Sequence, residues 1–84
     1  MPTAQNLDDA PLLEHVRVRR VDGERAFRRR LLELGVLPGT TVRKTKIAPL
    51  GDPVELEVRG RRLSIRRAQA RAISIEPQSG APRS

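Results

Sequence analysis

The sequence predicts a mainly β domain: a small, closed or nearly closed barrel of five short strands with one α-helix near 24–34 and a short helical turn near 67–70. Three observations predict it. Apolar residues alternate with polar ones in several short stretches, which is the period-two pattern of strands with one dry face. A single stretch, Glu24 to Leu34, instead carries Phe27, Leu31 and Leu34 at helical spacing. The interior these patterns define is almost wholly valine, leucine and isoleucine, and rolling the sheet up removes edges that would otherwise invite aggregation.

Met1 to Ala10 is polar and reads as a flexible tail in which Leu7 is the candidate to pack, with the domain proper over 11–77 and a second tail over 78–84, rich in Ser, Gly, Ala and Pro. His15 to Val21 reads as the first strand, Val16 and Val18 alternating with His15, Arg17 and Arg19. Asp22-Gly23 ends it and offers Asp22 as a helix N-cap. In the helix, Glu24 lies near the positive N-terminal end of the dipole, and Gly35 is a natural left-handed stop. Val36-Leu37-Pro38-Gly39 follows as a turn, with Pro38 and Gly39 at the two central positions of type II.

Thr41 to Ala48 reads as a second strand. Val42 and Ile47 have opposite parity, so a bulge is expected between them. Ala48-Pro49-Leu50-Gly51-Asp52-Pro53 is a loop held between prolines that cannot donate to a ladder. Val54, Leu56 and Val58 then alternate with Glu55, Glu57 and Arg59, and Leu63 and Ile65 resume the alternation after Gly60-Arg61. A type II′ turn at Gly60-Arg61 predicts a hairpin in which Val58 faces Leu63, Leu56 faces Ile65 and Glu55 faces Arg66. Ala72, Ile73 and Ile75 form a last strand, stopped by Pro77. The helix caps one end of the barrel, and Leu31→Ala should cost ~2–5 kcal/mol.

The assembled pattern resembles the FeoA family of ferrous-iron transport accessory proteins. Three blocks carry the resemblance: Arg30-Leu31-Leu32-Glu33-Leu34-Gly35-Val36-Leu37-Pro38-Gly39, then Ala48-Pro49-Leu50-Gly51-Asp52-Pro53, then Val58-Arg59-Gly60 with Leu63-Ser64-Ile65-Arg66-Arg67 and Ala70. One departure is that Pro11-Leu12-Leu13-Glu14 stands where the family carries a Pro-Gly pair before the first strand. The resemblance implies an SH3-like β-barrel. It also implies a cytoplasmic accessory or adaptor role, with FeoB, a membrane iron transporter bearing a G-protein domain, as the partner to be bound and regulated. Membrane association would then be peripheral, through that partner. Similar domains close some metal-dependent transcriptional repressors, so a metal-responsive regulatory domain is an alternative.

The composition narrows the chemistry. Seventeen Lys plus Arg oppose ten acids, for a formal charge of +7, and fifteen of the seventeen are arginine. A basic barrel attracts nucleic acid, but barrels that bind it usually offer aromatic faces for base stacking, and the chain has one Phe and no Trp or Tyr. No specific nucleic acid is expected; a nucleic-acid-binding barrel stays as the alternative, with phosphate attraction supplying the affinity. There is no cysteine and so no thiolate metal site. His15 is the lone histidine, and Glu55 with Glu57 reads as cross-strand charge pairing. No nucleophile stands with a base and an orienting partner, so no enzyme activity, cofactor or metal is expected. The Met1 to Ala10 segment lacks the basic start and apolar block of a secretory signal. The candidate protein-binding residues are Leu37, Pro38 and Gly39 in one turn and Pro49, Leu50, Gly51 and Asp52 in the other, with Asp52 read as a turn-setter. Val36, Leu37 and Leu50 leave self-association open as well.

Overall fold

The computed structural model describes residues 5–76. In chain order the elements are β1 (Val16–Val21), α1 (Arg25–Glu33), β2 (Thr41–Ile47), β3 (Val54–Val58), β4 (Arg61–Ile65), α2 (Arg67–Arg71) and β5 (Ile73–Ile75). The five strands form one antiparallel sheet in the order β4-β3-β2-β1-β5. The sheet is rolled: Ile65 on one outer strand and Ile73 and Ile75 on the other share a single buried cluster. β1 makes the corner. Its first residues pair with β2 (Val16 opposite Val42), and its later ones pair with β5 (Val18 opposite Ile75, Val21 opposite Ile73). The short α2 joins the two outer strands, giving the nearly closed barrel expected from the alternation.

The β2–β3 pairing slips between Lys44 and Lys46, which is the bulge that the opposed parity of Val42 and Ile47 requires. The β3–β4 hairpin differs in detail from the expected one. Its two-residue turn is Arg59-Gly60, with φ of 54° and 78°, rather than Gly60-Arg61. Positive φ at both central residues is a type I′ turn, whose twist matches that of the strands it joins. Leu56 therefore faces Leu63, Val54 faces Ile65, and Val58 faces Arg61. The register moves by two, so every side chain keeps its face. Glu55 lies opposite Ser64 rather than Arg66, and its carboxylate accepts the Thr45 hydroxyl at 2.9 Å. Glu57 makes the charge pair, with Arg43 Nε at 2.6 Å.

α1 begins two residues later than the Asp22 cap implies. Glu24 is the N-cap, without a side-chain hydrogen bond, and Asp22 instead accepts Arg20 Nε at 3.0 Å. The helix ends in a Schellman motif: Val36 N–H donates to the Leu31 carbonyl at 2.8 Å and Gly35 N–H to that of Leu32 at 3.0 Å. Phe27 and Leu31 point into the core and Leu34 packs against it, so α1 covers the barrel as a lid. The next turn is type II as expected, Thr40 N–H donating to the Leu37 carbonyl at 2.9 Å across Pro38 and Gly39, whose φ is 92°.

The N-terminal residues depart from expectation. Residues 5–10 are not a loose tail: Leu7 is fully buried, Ala10 nearly so, and Asn6 bridges to Ser74. Leu7 N–H donates to the Ile73 carbonyl at 2.9 Å and Ile75 N–H to that of Gln5 at 3.1 Å, so this segment covers the outer edge of β5. The rest of that tail, the Pro77 stop and the expected tail over 78–84 lie outside the described residues.

Candidate functional site

The loop after β2 is a built turn with an exposed tip. Gly51 N–H donates to the Ala48 carbonyl at 2.7 Å, closing a turn around Pro49 and Leu50, and Ala48 N–H donates to the Pro53 carbonyl at 3.0 Å. Asp52 does set the geometry. Its Oδ1 accepts the Arg67 N–H at 3.2 Å, tying the loop to the first residue of α2. Between these ties Leu50 is 96% exposed. Leu50 is thus the most exposed of the large apolar side chains among the described residues, on a turn held by hydrogen bonds at both ends.

The other candidate turn is equally fixed. The Thr40 hydroxyl donates to the Gly35 carbonyl and accepts the Leu37 N–H, both at 3.2 Å, from an almost buried position. Leu37 and Pro38 then line an open groove of about 360 Å³ with Arg25, Arg28, Arg29 and Leu32 of α1. The structure does not bring the two turns together. They sit at opposite ends of the seven-residue β2, roughly 20 Å apart at ~3.3 Å per residue.

One cluster was not read from the sequence. The Asp8 carboxylate, 8% exposed, accepts Arg67 Nε at 3.1 Å and Nη2 at 3.3 Å, and Arg71 Nε at 3.2 Å. The hydrogen bond from Arg67, ahead of burial, which works the other way, holds Asp8 below the usual carboxylate range, with help from Arg71. Beside it Lys44, 5% exposed, donates from Nζ to the Asp8 carbonyl at 2.9 Å. Burial pulls the Lys44 ammonium below its ordinary value, and the Asp8 charge pulls the other way. Asp8 and Arg67 are 59 residues apart in the chain, and no local pattern announces their meeting. The one available signal was a lysine at a dry position of a strand, which demands a buried acceptor.

The cluster's acid is already committed to two guanidinium groups, an arrangement that fastens the N-terminal segment to α2. His15 is exposed. Among the described residues no three His, Cys, Asp or Glu side chains gather to hold a metal, and no helix is long and apolar enough to cross a membrane. Leu37, Pro38 and Gly39 on one turn and Pro49, Leu50 and Asp52 on the other are all exposed.

Comparison with known proteins follows the same lines. The model of the FeoA domain matches residues 5–77. A fusion protein of Fe(2+) transport protein A and the Fe(2+) transporter FeoB from Porphyromonas gingivalis is 40% identical over 57 residues, which is 68% of this chain. The chain spans 7% of that relative's length. The solution structure of FeoA from Chlorobium tepidum superposes with a TM-score of 0.84 at 34% identity, covering 90% of this chain and 72% of that one. The crystal structure of Stenotrophomonas maltophilia FeoA complexed with zinc, described as a prokaryotic SH3-domain protein, gives 0.75 at 30% identity, covering 87% and 91%. The rolled sheet is thus of the SH3-like kind.

Proposed function

The chain belongs to the FeoA family, and we propose that it serves ferrous iron transport as a non-catalytic accessory protein that binds a FeoB-type membrane transporter. The fusion relative carries this reading. Placing the two parts in one polypeptide raises the effective concentration of each at the other, an arrangement suited to proteins that work in contact. The fold of the present chain supplies what contact needs: a small rigid core and a leucine displayed at the tip of the Pro49–Asp52 turn. In this reading Leu50 enters an apolar site on the cytoplasmic part of the transporter, and the barrel is held to the membrane only through that partner.

The test is co-purification with a FeoB-type transporter in detergent or nanodiscs. Wild-type chain is expected to be retained on the immobilised transporter, and Leu50→Glu to be largely lost. Failure of the wild type to associate under any nucleotide condition would overturn the proposal. Retention of both proteins equally would keep the partner but remove the loop.

A further inference from the structure

The groove beside the Leu37-Pro38 turn is a second surface, at the other end of β2 from Leu50. Arg25, Arg28, Arg29 and Leu32 are spaced i, i+3, i+4 and i+7, so they form one stripe of α1, away from Phe27 and Leu31 in the core. None of the three arginines has an acidic partner among the described residues; the ion pairs there involve Arg17, Arg20, Arg43, Arg67 and Arg71. Like charges at this spacing repel and weaken the helix that carries them. Next to them lie exposed apolar side chains, Leu32 at 58% and Leu37 at 36% exposure, with Pro38 alongside.

From this combination we infer that the groove binds an acidic peptide segment carrying an apolar anchor residue. The unpaired guanidinium groups supply charge complementarity for two or three carboxylates, in the fork geometry that arginine offers and lysine does not. The concavity accepts one apolar side chain against Leu32, Leu37 and Pro38. A planar lipid surface would meet the arginines but leave the hollow unfilled, so a peptide fits better than a membrane. Pro38 and the Schellman closure of α1 fix the groove's wall before any ligand arrives, which lowers the ordering cost of binding. The inference goes beyond the transporter reading and does not depend on it, since Leu50 takes no part.

The experiment is selection of a random displayed-peptide library on the immobilised chain, followed by affinity measurement on wild type, Arg28→Glu/Arg29→Glu and Leu32→Ser. Both altered sites are exposed, and circular dichroism verifies that each variant is folded. Selected peptides are expected to be enriched in Asp and Glu around a Leu, Ile or Phe. They should bind the double arginine variant at least about tenfold more weakly and Leu32→Ser severalfold more weakly. Peptides without acidic bias, peptides that bind both variants like wild type, or tighter arginine-dependent binding to phosphatidylglycerol vesicles than to any selected peptide would each overturn it.

Discussion

Lys44 reaches from the bulged strand β2 to donate its ammonium proton to the backbone carbonyl of Asp8, 36 residues earlier, at 2.9 Å. The contact fastens the N-terminal segment over the barrel from one side, while Arg67 and Arg71 hold the Asp8 carboxylate from another. Residues that precede the first strand are therefore part of the folded unit, and their energetics should show it.

Leu7 is the plainest case. It is fully buried in the main cluster, and its truncation leaves a hole that the rigid sheet cannot close. Leu7→Ala is expected to lower the unfolding free energy by ~2–5 kcal/mol, measured by urea denaturation. A midpoint equal to wild type would mean that this segment is an ornament on an independent barrel.

The pH response follows from Asp8. Its folded value lies below its unfolded one of 3.8, so the folded state binds its proton less readily. The stabilisation is fully present above the unfolded value and is lost as pH falls through the folded value. Asp8→Asn removes this source, so the stability difference from wild type should be large at neutral pH and shrink below about pH 4. A difference that stays constant from neutral to acid pH would show that the carboxylate charge is not what the arginines hold.

Gly39 tests the turn. Its φ of 92° is disfavoured for a residue with a side chain, yet an added Cβ would meet only Arg17 Nη2 at an ordinary 3.7 Å. Gly39→Ala should then cost only the backbone term, about 1–2 kcal/mol. Gly35→Ala brings the same strain and crowds Arg59 Cδ at 3.1 Å, so it should cost at least as much. Thermal melts of the two variants against wild type decide the order.

Leu50→Glu should leave the unfolding free energy within about 0.5 kcal/mol of wild type, because the side chain touches so little of its own chain. Solubility at high concentration should rise. A marked loss of stability would show that the leucine folds back on the barrel in solution.

Much of the architecture was legible because it rests on local rules. The alternation in Val54–Val58, the helical spacing of Phe27 and Leu31, and the Pro38-Gly39 turn each carry their own signal, and the structure agrees with them. The hairpin register was ambiguous by two. A glycine suits either central position of a primed turn, and both registers send the same residues inward. Leu7 stood out as the apolar residue of a polar segment, but Asp8 and Lys44 were illegible for a different reason: they meet through closure of the whole chain, and nothing near either of them names its partner. The candidate turns were legible as turns. Which way Leu50 faces was not, since a leucine between Pro49 and Gly51 suits a tucked tip as well as an open one.

The hydrogen bond from Ile75 to Gln5 puts the two ends of the described chain side by side on β5. Whatever is spliced to either end, a linker, a label or a second protein, will leave from the same spot. The barrel thus behaves like a bead on a single stalk: joining it in front of another polypeptide, behind one, or within one places the junction at the same edge of the sheet.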